Sequence, residues 1–164
     1  MDNRRKDEEI QNFRKDIDIL VTTEIGGEGR NLQFCHQMVN YDLPWNPMKI
    51  EQRIGRIHRI GQEKEAMIYN LCAAKSVEDY ILEILDRKIN MFEMVIGEID
   101  MILGRIKGEQ EFSTIVYDIW MDSRSEEEKE KAFSQLGSTL KSAKTSYQKT
   151  KELDEKLFGE DYEL

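Results

Sequence analysis

Apolar residues along the chain change their period near residue 76. Before it, short apolar runs stand apart: DILVTT at 18–23, QMVNY at 37–41 and MIYNLC at 67–72. Brief runs rich in β-branched residues, bounded by turn formers, predict buried strands of a sheet covered on both faces. Between them the spacing is helical. Asn3–Lys15 predicts a charged helix whose apolar contacts are Ile10 and Phe13, 31–35 a single helical turn, and a further helix opens at Pro47. Strands alternating with helices predict βαβ units and a parallel sheet with right-handed crossovers. Three strands are fewer than the five or six usual in a doubly wound sheet. The sequence therefore reads as starting inside a domain, with the remaining strands expected upstream or from another chain.

From Ser76 the pattern is helical throughout. Ser76 with Asp79 resembles a capping box, and an apolar stripe then runs from Val77 through Ile81, Leu85, Val95 and Ile99 to Leu103. About 28 residues at 1.5 Å each predict a rod of about 40 Å. The GRIKGEQ stretch from Gly104 predicts a turn, and Phe112, Ile115, Val116, Ile119 and Trp120 mark a shorter helix. Ser125 with Glu128 is a second capping box, opening a helix to about Leu157. Its positions Phe133, Leu136, Leu140, Ala143 and Tyr147 form a near-heptad seam, with a lapse at Thr150. The expected fold class is α/β followed by all-α: a partial parallel sheet over 1–75, then over 76–164 an antiparallel helical hairpin with residues 112–120 wedged at its turn. Met and aromatic stripes at this spacing read as core.

Charge sharpens where chemistry can lie. The net charge is −9, yet residues 1–75 hold 12 Lys and Arg against 12 Asp and Glu, so the whole excess falls in 76–164. A locally basic site is expected only in the first part. Cys35 and Cys72 sit in apolar surroundings and read as small buried hydrophobes in a reducing compartment. With His36 and His58 they lack paired ligand spacing, so no metal site is expected. No apolar run is long enough to span a membrane, and the charged start is unlike a signal peptide. A cytoplasmic protein without membrane contact is expected.

The candidate chemistry centres on 43–62, LPWNPMKIEQRIGRIHRIGQ. Asn46 suits an N-cap, Pro47 the first helical position, and Gly61 a stop past the last turn. At roughly 100° per residue, Ile50, Ile54 and Ile57 share one face. Gln52, Arg56 and Arg59 share the opposite one, with Arg53 at its edge. Arginine suits a planar fork that meets phosphate or carboxylate; the plainer reading is a solvated basic face. The glycine-rich IGGEGR at 25–30 leaves the carboxyl end of the first predicted strand, where open sheets place ligands. Gly26, Gly27 and Gly29 let backbone approach phosphate, although by itself the stretch reads as a tight turn.

Taken together these segments resemble a known family. TTEIGGEGRNL at 22–32 resembles helicase motif V, and QRIGRIHRIGQ at 52–62 resembles motif VI. Between them, YDLPWNP at 41–47 is similar to the D-x-x-W-N-P segment of Swi/Snf-like ATPases. Over about residues 5–80 the chain resembles the second RecA-like lobe of superfamily-two helicases, closest to the bacterial RapA-type branch. His58 at the second glycine of the related RNA-helicase pattern, and the Ile-Gly-Gln tail, favour the Swi/Snf-like side. The resemblance implies ATP with Mg2+ between two lobes, held mainly by the other lobe. It implies Arg56 and Arg59 as arginine fingers, with Gln52 ordering the γ-phosphate or the attacking water. Gly29, Asn31 and Arg53 would line the nucleotide edge, and Thr22, Thr23, Gly26 and Gly27 the nucleic-acid backbone. Implied partners are duplex DNA rather than RNA, the N-terminal helicase lobe of the same protein, and a protein partner for the acidic helices. No G-x-x-x-x-G-K-[ST] phosphate loop occurs, and DEEI at 7–10 falls on a charged helix rather than after a strand. The chain alone is therefore expected to supply half of a site, to hold no ATP and to be inactive. Two alternatives stay open: a stand-alone helical interaction module with a relic lobe, and part of an RNA helicase.

Overall fold

A computed structural model describes residues 3–23, 29, 31–58, 62, 64–91, 94, 97–106 and 111–158. The elements in order are α1 (Asn3–Lys15), β1 (Gln37–Asn40), α2 (Pro47–Ile54), β2 (Met67–Asn70), α3 (Val77–Glu83), a π-helical turn (Ile84–Lys88), α4 (Glu98–Leu103), α5 (Phe112–Asp122) and α6 (Glu126–Phe158). They form two compact units, one of Met1–Asn40 with Gln52–Tyr69 and one of Tyr41–Glu51 with Asn70–Leu164.

In the first unit β1 and β2 pair as a parallel two-stranded sheet. Parallel neighbours need a crossover of a dozen or so residues, and the α2 segment supplies it. The amide of Met67 donates to His36 O at 2.7 Å, just ahead of the ladder. Helix α1 forms where its charge pattern predicts, so DEEI at 7–10 is helical. Phe13 lies 5.4 Å from the Phe34 ring, and the Arg14 guanidinium stands 5.6 Å from the same ring.

The third predicted strand is corrected. Residues 18–23 form no strand, and Ile19 and Val21 are 76% and 91% exposed. A strand of continuous apolar residues needs a hydrogen-bonded neighbour and cover on both faces. Among the described residues neither reaches this run. The thiol expectation is also half corrected: Cys35 is half-buried, its Sγ 3.1 Å from Gln37 O, whereas Cys72 is exposed.

In the second unit both predicted caps form. Ser76 Oγ accepts the Asp79 amide at 3.3 Å, and Ser125 Oγ accepts the Glu128 amide at 3.2 Å. In each case the carboxylate reaches back one residue further than a capping box does. Asp79 accepts from the Lys75 amide and Glu128 from the Arg124 amide, each at 2.8 Å. The core gathers around Ile81, Leu85, Ile99, Ile102, Val116 and Leu140, all 0% exposed. Tyr80 stacks on Phe133 at 4.7 Å and 7°, and Lys129 stands 4.2 Å from the Trp120 ring.

The long rod predicted from Val77 is interrupted. The helix widens into the π-turn, Asn90 adopts φ 49, and α4 starts only after Gly97, at φ 98. The Lys144 ammonium from α6 takes the carbonyl of Ile89 at this break. The direction of packing is corrected too. Tyr80 meets Phe133, Lys88 lies against Gly137, and Glu98 pairs with Lys151, so partners rise together and the two stretches run the same way. The return is made by α5, from Arg105 beside Ser146 to Trp120 beside Lys129. An antiparallel hairpin would need the first stretch to lead straight into α6; the predicted wedge is instead a full third arm. Gly137 permits this contact, because a Cβ there would meet Lys88 Cγ at 3.1 Å. Among the described residues no helix is long and apolar enough to cross a membrane.

Candidate phosphate-facing site

Helix α2 begins as its sequence dictates. The Asn46 side chain accepts the Met48 amide at 2.9 Å, and Pro47 takes the first helical position, buried. Its end is earlier than Gly61. The helix closes at Ile54, and the next residues tighten into a turn in which Arg56 N donates to Arg53 O at 3.1 Å and Ile57 N to Ile54 O at 3.0 Å. Gly55, a weak helix former, stands where the wide turns give way to tight ones. Ile50 and Ile57 are buried as predicted, with Ile54 half-buried. Gln52 and Arg53 therefore occupy the last turn of α2, and Arg56 the turn beyond it. Arg59 lies outside the described residues.

Arg53 is half-buried and donates from Nη1 to Asn40 Oδ1 at 3.3 Å. Asn40, 3% exposed at the end of β1, is thus the polar residue to which that arginine is tied. Gln52 is exposed and Arg56 half-buried.

The glycine-rich segment is described in part. Thr22 and Thr23 are exposed, and the Thr22 hydroxyl donates to Thr23 O at 3.0 Å. Gly26 and Gly27 lie outside the described residues, and Gly29 takes a left-handed φ of 71. Asn31 Oδ1 accepts the Gln33 amide at 3.0 Å while its Nδ2 donates to Gln33 Oε1 at 3.1 Å. One residue on, the Leu32 amide donates to Arg56 O at 3.0 Å. The two candidate loops are thereby joined main chain to main chain.

Gln62 reinforces that junction and was given no separate role by the sequence. Its Nε2 group donates to Gln33 O at 2.9 Å, Ile57 O at 2.9 Å and Cys35 O at 3.3 Å. Its Oε1 accepts the Lys64 amide at 3.1 Å. A side chain with donors and an acceptor is suited to bridge irregular backbone, which was the available signal. The candidate donors (Gln52, Arg53, Arg56) are amide and guanidinium groups. Such a set fits phosphate oxygens, and it contains no carboxylate that would hold a divalent cation.

Comparison with known proteins bears on this geometry. Residues 1–61 match the helicase conserved C-terminal domain. The chain is 54% identical over 116 residues to the "Uncharacterized ATP-dependent helicase YqhH" of Bacillus subtilis, covering 71% of this chain and 21% of that protein. It is 44% identical over 75 residues to the RNA polymerase-associated protein RapA of Sodalis glossinidius, covering 46% of this chain and 8% of that one. With RapA of Vibrio cholerae the identity is 55% over 51 residues, 31% of this chain and 5% of the relative. The chain thus spans about a fifth or less of the length of these relatives. Residues 1–61 are a helicase C-terminal domain segment, and the chain stands with the RapA-type, Swi/Snf-like superfamily-two helicases.

Proposed function

We propose that the chain is the arginine-donating part of an ATP-driven, Swi/Snf-like translocase on duplex DNA. The observation that carries this reading is the Leu32–Arg56 backbone hydrogen bond, clamped by Gln62. It joins the loop assigned to the nucleic acid with the turn assigned to the nucleotide, as a machine coupling hydrolysis to movement requires.

When bound, ATP with Mg2+ supplies the phosphoryl group that is transferred to water. Arg56 and Arg59 neutralise the negative charge that builds on that group, an arrangement worth roughly 10³- to 10⁵-fold in rate. Gln52, exposed one turn earlier, orders the γ-phosphate or the water by hydrogen bonding. Arg53, held by Asn40, and the Gly29–Asn31 turn line the nucleotide edge. Thr22 and Thr23, exposed, with Gly26 and Gly27, contact the phosphodiester backbone. The cation and most of the nucleotide are held by an N-terminal lobe of the same protein, because the donors here suit anions alone. On this reading the 164-residue chain by itself turns over no ATP, and the enzyme works in the cytoplasm.

A role for residues 76–164 is supported separately. A match of 116 residues to the Bacillus relative must run past residue 75, so the helical region is shared at least in part. The RapA relatives are named for association with RNA polymerase, and we assign the acidic helices a protein-docking role. The decisive experiment is Arg56→Ala and Arg59→Ala in the complete enzyme. Each is expected to lower DNA-stimulated ATP hydrolysis by about 10³-fold while nucleotide binding persists. Retained turnover in both overturns the finger assignment, and stimulation by RNA alone overturns the choice of duplex DNA.

A further inference from the structure

We infer that Glu51 and Trp45 are positioning residues through which the helical region sets the placement of Gln52 and the arginine turn; this rests on the function proposed above. The first five residues of α2 pack with the helical unit, and the helix then continues without a break into Gln52 and Arg53. Two side-chain anchors hold that first part. Trp45 Nε1, just ahead of the cap, donates to Glu78 Oε1 at 2.8 Å on the first turn of α3. The Glu51 carboxylate accepts the Gly97 amide at 2.8 Å, at the left-handed residue that opens α4. Next to Gly97, Glu98 is paired with Lys151 of α6 at 2.9 Å. A line of polar contacts therefore runs from α6 through the start of α4 to the residue before Gln52.

The chemistry of Glu51 argues for a specific placement rather than general adhesion. Burial pushes its carboxyl above the ordinary range and Asp100 and Glu98 add to the lift, while the amides of Gly97 and Ile99 pull the other way. An apolar residue beside buried Ile50 would pack there without that cost. A carboxylate aimed at one amide instead fixes the rotation and height of the helix. Residues 52 and 53 inherit both, since an α-helix turns as a unit.

The test uses the complete ATPase with saturating duplex DNA, and amide exchange over residues 52–54. Glu51→Ala is expected to lower kcat about 10- to 100-fold, the scale of a misplaced catalytic group. The KM for ATP and the unfolding midpoint should change little. Glu51→Gln, which keeps an acceptor oxygen, should restore most of the rate. Trp45→Phe, which keeps the ring and removes one N–H, should show a several-fold loss and covers the case in which Glu51→Ala folds poorly. Equal kcat in wild type, Glu51→Ala and Trp45→Phe, alongside an inactive Arg56→Ala, overturns the inference and leaves the proposed function standing. Gln and Ala variants of equal rate overturn it as well. Should Arg56→Ala keep turning over ATP, the proposed function falls. Exchange then decides alone: faster exchange of the 52–54 amides in Glu51→Ala supports the anchor, and unchanged protection overturns it.

Discussion

The two compact units use equally apolar sequence to different ends. In the helical unit Ile81, Leu85, Ile99, Ile102, Val116 and Leu140 are wholly buried. In the motif-bearing unit only Leu32 and Ile57 are described as buried apolar residues, while Ile19, Val21 and Val39 are 76%, 91% and 60% exposed. A helix satisfies its own backbone and needs cover along one stripe, which a second helix of the same chain can give. A strand depends on neighbours for its hydrogen bonds and on two faces for its side chains. The helical unit thus holds what it needs within the described residues, and the motif-bearing unit leaves its strand-like surface open.

The largest effect expected from that contrast is on stability. Leu140→Ala, at 0% exposure, should cost about 2–5 kcal/mol by loss of burial and creation of a cavity. Val21→Ala removes apolar atoms already in solvent and should stay within about 0.5 kcal/mol. Urea midpoints of the chain read both. Similar losses at the two positions would mean that the strand-like run is covered in solution and the contrast is false.

A smaller effect should appear inside the motif-bearing unit alone. Gln62→Ala leaves the carbonyls of Gln33, Cys35 and Ile57 without a donor they now share. Leaving such groups unsatisfied costs about 1–3 kcal/mol. Hydrogen exchange should speed up at Leu32 and Ile57, whose amides bond Arg56 O and Ile54 O, while amides of α6 stay protected. Acceleration in α6 to the same degree would show that the two units open together.

What the sequence made legible follows from how local each determinant is. The caps at Asn46, Ser76 and Ser125 formed because their hydrogen bonds span two or three residues. Helix α1, strands β1 and β2, and the buried faces of α5 and α6 followed from periodicity. The break between Ile89 and Gly97 did not, since Asn90 and Gly97 continue an apolar stripe while their φ values are positive. The shared direction of the first helical stretch and α6 was hidden too, because a repeat of apolar positions is the same read either way along a partner. At the site, the residue types of 52–62 carried the family resemblance. Its junction with 31–35 rests on backbone groups and on Gln62, and a main-chain hydrogen bond leaves no mark on composition. The early end of α2 at Ile54 belongs with these misses, for Gly61 was an equally good stop by residue type.

The smallest predicted effect concerns acid and belongs to the helical unit. Although burial acts to raise the Glu78 carboxyl, hydrogen bonds from Trp45, its own amide and Ser76 outweigh it, and the group titrates below its ordinary value of 4.5. A carboxylate with a depressed folded pKa adds stability above the unfolded value and loses it as pH falls through the folded one. Glu78 is only partly shielded from water, so its share should stay under about 1 kcal/mol. Unfolding midpoints measured from pH 7 down to pH 3 should therefore fall slightly more steeply in wild type than in Glu78→Gln, with the divergence beginning near the ordinary carboxylate pKa. Trp45→Phe should flatten the same limb, since it removes the donor that keeps Glu78 charged. If Glu78→Gln instead steepens the acid limb, burial rather than hydrogen bonding governs this carboxyl. The Trp45 anchor would then hold a neutral acid, and its grip on the start of α2 would be weaker than the 2.8 Å contact implies.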